Sequence, residues 1–69
     1  MDIEREAELL TMAKEIVRGW YPDQTVDDAW WGDNEHTWAL VLTSGGTSFV
    51  TRRFMEEALE VLDTAPVRN

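Results

Sequence analysis

The sequence predicts an α+β fold in which two helices pack on one face of a three-stranded antiparallel meander, in the order α-β-β-β-α. Three observations predict it: an apolar stripe of helical period at each end of the chain, a strand pattern over residues 37–43 with Trp38, Leu40 and Leu42 on one face, and a Gly45-Gly46 pair suited to a tight hairpin turn. The 69 residues make one domain, 1–69, with residues 64–69 as a flexible tail.

The first helix is predicted over residues 3–18. Its carboxylates Glu4, Glu8 and Glu15 lie opposite the apolar face, and Asp2 can cap its start. Gly19 with Pro22 marks its end. One broad apolar face is formed by Leu9, Leu10, Ala13, Ile16, Val17 and Trp20.

Three strands are predicted at residues 25–31, 37–43 and 47–51. Gly32-Asp33-Asn34 forms the first turn, and Gly45-Gly46 forms the second with both glycines at positive φ. With Gly45-Gly46 as the loop, Leu42 pairs with Phe49 and Val41 pairs with Val50.

The faces of the sheet follow from the alternation of side chains along each strand. We expect Trp30 to be buried under the helices and Trp31 to lie on the open face, beside Ala29 and Ala39. Asp28 then lies awkwardly on the inner face. The predicted core consists of Trp38, Leu40, Leu42, Phe49, Phe54, Leu59, Leu10, Ile16 and Val17.

The second helix is predicted over residues 53–63, with Thr51 as its cap. Arg52 and Arg53 can reach the carboxylates of Glu56 and Glu57 at the i+4 spacing. A stripe of carboxylates, formed by Glu56, Glu60 and Asp63, lies opposite the apolar face.

The α-β-β-β-α order resembles that of the double-stranded RNA-binding domain. Where such a domain needs lysines at its second helix, this chain carries Glu56, Glu57, Glu60 and Asp63. The resemblance is therefore one of element order and implies no RNA binding. Fourteen acidic residues against six basic ones give a net charge of -8, which argues against direct binding of nucleic acid or of an anionic membrane.

Composition also excludes several chemistries. The chain has no cysteine, so neither a disulfide nor a thiolate metal site is expected. Because it has one histidine, a histidine-rich zinc site is not expected either. Asp33, Glu35 and His36 fit a surface hairpin better than a metal site. No catalytic or cofactor motif is present, so we expect no enzymatic activity and no cofactor. A charged first segment and the lack of a long apolar run favour a cytoplasmic location.

The predicted function is protein binding. Trp31 is a large aromatic side chain among carboxylates, which is typical of a protein interface. The candidate binding residues are Asp27, Trp31, Asp33, Glu35, Glu56, Glu60 and Asp63.

We expect a stoichiometric inhibitor or adaptor that engages a basic protein. Helical carboxylates about 6 Å apart could mimic the phosphates of a nucleic acid. Anti-CRISPR proteins, other phage-encoded inhibitors and bacterial immunity proteins are of this size and charge. The alternative is a structural module that forms a homodimer or larger homo-oligomer and buries its open sheet face or an edge strand.

Overall fold

The elements follow one another in the predicted order. The computed structural model describes the backbone of residues 3–64 and the side chains of residues 3–62. The three strands form one antiparallel sheet in the order β1-β2-β3, and both helices contact it, which confirms the α+β fold. The elements are α1 (Ile3–Trp20), β1 (Val26–Trp31), β2 (Trp38–Thr43), β3 (Gly46–Thr51) and α2 (Arg52–Thr64).

The helix ends differ slightly from prediction. α1 continues through Gly19 to Trp20, and the Tyr21 N–H donates to the Val17 carbonyl at 2.9 Å. Thr51 caps α2 as predicted, because its Oγ1 accepts the Phe54 N–H at 3.3 Å. α2 includes Thr64, the first residue of the predicted tail. The proposed Asp2 cap and residues 65–69 lie outside the described residues.

The predicted register of the second hairpin is wrong by two residues. Thr43 pairs with Gly46 and Leu40 pairs with Phe49, so Ser44-Gly45 is the loop. Of the glycines described, Gly46 alone has a positive φ, 138°, a conformation that other residues adopt rarely. A slip of two residues keeps every side chain on its face, so Leu40, Leu42 and Phe49 still share one side of the sheet.

A bulge interrupts the pairing of β1 with β2. Val26 pairs with Thr43 and Asp28 pairs with Leu42, so Asp27 is an extra residue without an opposite partner. The bulge turns Val26 towards the helices, where it packs against the core. Asp28 faces away from the helices, which removes the awkward inner position predicted for it.

The prediction of which sheet face meets the helices is wrong. The buried sheet residues are Ala39, Val41, Thr43 and Val50, on the face predicted to be open. Trp30, Leu42 and Phe49 are exposed, and Trp38 and Leu40 are half-buried on the same outer side. From the predicted core, Val17 is buried, Leu10, Ile16 and Leu59 pack at its edge, and Phe54 is exposed.

Side-chain size explains the choice of face. The helices supply the large groups of the core, Leu9, Met12, Val17 and Met55, together with Ala13. Because protein interiors are close-packed, bulky helix residues fit best against small sheet residues. Ala39, Val41 and Val50 leave that room, and Trp31 packs against the core on the same face.

Neither helix could cross a membrane, since no helix in residues 3–64 is both long and apolar enough.

Candidate protein-binding surface

The outer face of the sheet carries a continuous apolar surface, which we call the aromatic face. Phe49 is 65% exposed, Trp30 is 41% exposed and Leu42 is 38% exposed. Leu40 lies between Trp30 and Phe49, since it pairs with both. The aromatic face consists of Trp30, Trp38, Leu40, Leu42 and Phe49.

Two contacts fix the position of the Trp38 ring within the aromatic face. The Trp38 and Phe49 rings meet edge to face with their centroids 5.8 Å apart. The Trp38 ring also lies directly over Gly32, where an added Cβ would come within 2.4 Å of the ring. A glycine at position 32 is therefore required for this packing. Preorganised aromatic side chains lose little conformational entropy when a partner binds them.

Carboxylates border the aromatic face at the β1 edge. Asp28 shares the face with Trp30, and Asp27 projects from the bulge beside it. Residues 19–51 contain five carboxylates and no lysine or arginine. Neither Asp27 nor Asp28 takes part in any ion pair found among the described side chains. The sheet half of the molecule therefore carries negative charge that its own residues do not balance.

Trp31, predicted to be the exposed anchor, has a structural position instead. It is half-buried on the helix side and packs against the core. The His36 ring stacks on it with centroids 5.0 Å apart, and the Arg52 guanidinium lies 5.5 Å from its ring centre. The prediction that Trp31 lies on an open face is thus wrong, because its face of the sheet meets the helices. Trp30 lies on the opposite, accessible face.

Arg52, the first residue of α2, joins α1 to the loop between β1 and β2. Its Nη1 and Nη2 donate to the two carboxylate oxygens of Glu6 at 3.0 and 2.9 Å, and its Nε donates to Glu56 at 2.9 Å. Its Nη1 also donates to the His36 carbonyl at 3.2 Å. A two-pronged arginine–carboxylate pair fixes geometry as well as charge. We call Glu6, His36, Arg52 and Glu56 the charged cluster.

The charged cluster shifts the ionisation of its members. Hydrogen bonds from Arg52 lower the pKa of Glu6, against the opposing effect of burial, and the charge of Arg52 adds to the lowering. His36 contributes too, with Nδ1 3.5 Å from Glu6. The same contacts with Glu6 and Glu56 raise the pKa of Arg52.

We expect Glu6→Gln to lower the free energy of unfolding at neutral pH by about 2 kcal/mol, the range of hydrogen bonds to charged groups. Because folding lowers the pKa of Glu6, its carboxylate stabilises the fold fully only above the ordinary pKa that a glutamate has in the unfolded chain. This contribution is lost as the pH falls through the lower folded value. The difference between wild type and variant, measured by denaturant unfolding, should therefore shrink at acidic pH.

Glu57→Gln is the matched control for Glu6→Gln. Glu57 pairs with Arg53 at 3.0 Å, but the Arg53 side chain is 89% exposed. Pairs of this kind contribute about 0.2–1 kcal/mol. Equal losses for the two variants, or a loss for Glu6→Gln that does not change with pH, would contradict the assigned role of Glu6.

Asp33 organises the loop that follows β1. Its carboxylate accepts the Thr37 hydroxyl and, at 3.0 Å, the Thr37 N–H, and these two bonds lower its pKa. The loop holds His36 at φ 56°, which is uncommon for a non-glycine residue and places its ring on Trp31. Glu35 lies exposed in the same loop. The structure therefore gives Asp33 a structural role that the sequence did not indicate.

The predicted helical stripes are partly neutralised. Glu56 is held by Arg52, as the i+4 spacing predicted. Glu8 pairs with Arg5 at 3.8 Å, and Glu15 pairs with Arg18. The Glu60 side chain is exposed, while that of Asp63 lies outside the described residues. A surface that imitates phosphates needs carboxylates without such partners, so these pairs weaken the mimic interpretation.

A groove of about 390 Å³ is lined by residues of α1 and by Leu59 of α2. Met12 and Leu59 line its apolar part, and Glu4, Glu8 and Glu15 line its border. The two ion pairs of Glu8 and Glu15 reduce its charge. We therefore regard the aromatic face, and not this groove, as the better candidate for a binding surface.

Comparison of the chain with protein-family models, with curated proteins and with solved structures found no match.

Proposed function

We propose that the chain is a protein-binding module, an inhibitor or adaptor, that acts by occupying a surface of its partner rather than by catalysis. The observation that carries the proposal is the aromatic face, where Trp30 and Phe49 stay exposed although a domain of this size needs apolar burial. Exposed aromatic residues on a rigid support are frequent hot spots of protein interfaces.

The charge around the aromatic face favours a basic partner. Asp27 and Asp28 lie beside Trp30, and the sheet half of the chain has no lysine or arginine to balance them. A partner surface with an apolar groove flanked by lysine or arginine would complement this arrangement. We place this encounter in the cytoplasm.

Charge also separates this proposal from self-association through the open sheet face. Two copies stacked face to face would bring the Asp28 carboxylates of both into one buried layer. Each copy carries a net charge of -8, so the contact would add repulsion to the cost of desolvating those carboxylates. A basic partner replaces the repulsion with attraction, and its cations pair with the carboxylates, which offsets the cost of desolvating them.

The test is affinity capture from the native host with tagged wild type, followed by calorimetry with the purified partner. We expect Trp30→Ala to weaken binding by about thirtyfold, the effect of losing a hot spot of about 2 kcal/mol. The double change Asp27→Asn with Asp28→Asn should reduce the dependence of binding on salt. Val61→Ala is the control, because Val61 is an exposed apolar residue, 64% exposed, that lies on α2.

Two outcomes would contradict the proposal. Binding that Trp30→Ala and Phe49→Ala leave unchanged would exclude the aromatic face. Binding lost instead when Glu4, Glu8 and Glu15 are changed to lysine would favour the nucleic-acid mimic, with the helices as the contact surface.

A further inference from the structure

The two edges of the sheet differ in how they resist pairing with another strand. The β1 edge has the bulge at Asp27 and the Asp28 carboxylate, both of which discourage a further strand. The β3 edge has a regular six-pair register with β2 on its inner side and contains neither a bulge, a proline nor a charged residue. β3 is therefore the edge that can accept a strand.

Hydrogen-bond direction shows which groups β3 presents. The Arg52 N–H donates to the Thr37 carbonyl at 2.8 Å, so the backbone of even-numbered residues in this segment points towards β2. Backbone groups of an antiparallel strand alternate between its two sides. The N–H and C=O groups of Thr47 and Phe49 consequently point away from β2, at the outer edge.

Charge selects the partner for this edge. No residue from 37 to 51 is acidic or basic, although the whole chain carries -8. The β2–β3 hairpin is therefore the part of the molecule that a second copy can approach with the least repulsion. A basic partner would find no carboxylate to pair with at this uncharged edge. It would be attracted to the β1 side instead.

We propose that β3 pairs antiparallel with β3 of a second copy about a two-fold axis at Phe49. Phe49 then exchanges both backbone hydrogen bonds with its equivalent, and Thr47 lies opposite Thr51 of the second copy. Aromatic–aromatic and threonine–threonine pairs are both favourable across strands. The interface is self-complementary, as two-fold symmetry requires.

This pairing covers the most exposed ring of the aromatic face. In a hydrogen-bonded antiparallel pair the two Cα atoms lie about 5.5 Å apart, so the two Phe49 rings come into contact. The two sheets join into one six-stranded sheet. Trp30, Asp27 and Asp28 stay accessible at both outer edges, where the partner of the proposed function can still bind, whereas Phe49 then belongs to the contact between the two copies.

Sedimentation equilibrium over a concentration series tests the pairing. We expect the apparent mass of wild type to rise from one protomer towards two with concentration, and the dimer to tighten with added salt because screening reduces repulsion. Phe49→Glu should weaken association by at least about tenfold, because it places like charges directly opposite each other. Val61→Glu changes the net charge equally on α2 and should still dimerise.

Amide hydrogen exchange distinguishes edge pairing from stacking of the open faces. The N–H of Phe49 should become protected as the concentration of wild type rises, whereas circular dichroism should show both variants folded. A wild type that remains monomeric would overturn the proposal, as would a dimer that survives Phe49→Glu. A dimer in which the Phe49 amide gains no protection would overturn it as well.

Discussion

Leu9→Ala should lower the free energy of unfolding by about 3 kcal/mol, the usual loss for a buried leucine. Leu9 is completely buried between the helices and the sheet, in the cluster that contains Val41 and Met55. The surrounding side chains are held by two helices and three strands, so they cannot close the cavity fully. Denaturant unfolding followed by circular dichroism measures the change.

Leu42→Ala is the control for Leu9→Ala, because it removes the same atoms from the aromatic face. Leu42 is partly exposed to solvent, so we expect a loss of about 1 kcal/mol or less. A loss at Leu42 that equals or exceeds the loss at Leu9 would show that the helices cover the other side of the sheet.

Trp31→Ala should have an effect of similar size, about 3 kcal/mol, at the lower end of the range for buried aromatic residues. The variant loses the stack on His36, the contact with the Arg52 guanidinium and part of the cover over the core. Without the indole, the charged cluster also becomes more accessible to water, which weakens its ion pairs.

Trp30→Ala removes an equal number of atoms from the adjacent residue and should cost less, about 2 kcal/mol, because 41% of Trp30 is exposed on the outer face. Thermal and denaturant unfolding of the two variants should therefore differ clearly. If Trp30→Ala unfolds the domain and Trp31→Ala does not, the assignment of the two faces is reversed.

Helical periodicity, the apolar strand pattern and the Gly45-Gly46 pair were sufficient to predict the elements. They were not sufficient to predict the faces, because both faces of β2 are apolar. The even-numbered residues Trp38, Leu40 and Leu42 are larger than Ala39 and Val41, and size alone favours burying them. Packing reverses this choice, since the helices supply the bulk of the core.

One signal in the sequence pointed to the observed face. Asp28 was awkward on the inner side, and a bulge at Asp27 places it outside while turning Val26 inwards. Nothing local predicted the bulge itself, because Thr-Val-Asp-Asp contains neither glycine nor proline.

The sequence identified most residues of the candidate site, but it did not indicate which of them are exposed. The Trp30-Trp31 pair and its neighbouring carboxylates were identified, but the exposed role was given to Trp31. Pairing of Arg52 with Glu56 followed from the i+4 spacing. Its stronger pairing with Glu6, 46 residues away, depends on how α1 and α2 pack and has no local signal.

The central claim is that Trp30, and not Trp31, lies on the accessible face of the sheet. Relaxation of the indole N–H signals of the four tryptophans by a soluble paramagnetic chelate tests it most directly. In dilute wild-type protein, with signals assigned through Trp→Phe variants, the Trp30 signal should broaden strongly and the Trp31 signal only weakly. Stronger broadening of Trp31 than of Trp30 would contradict the fold assignment and, with it, the proposed binding surface.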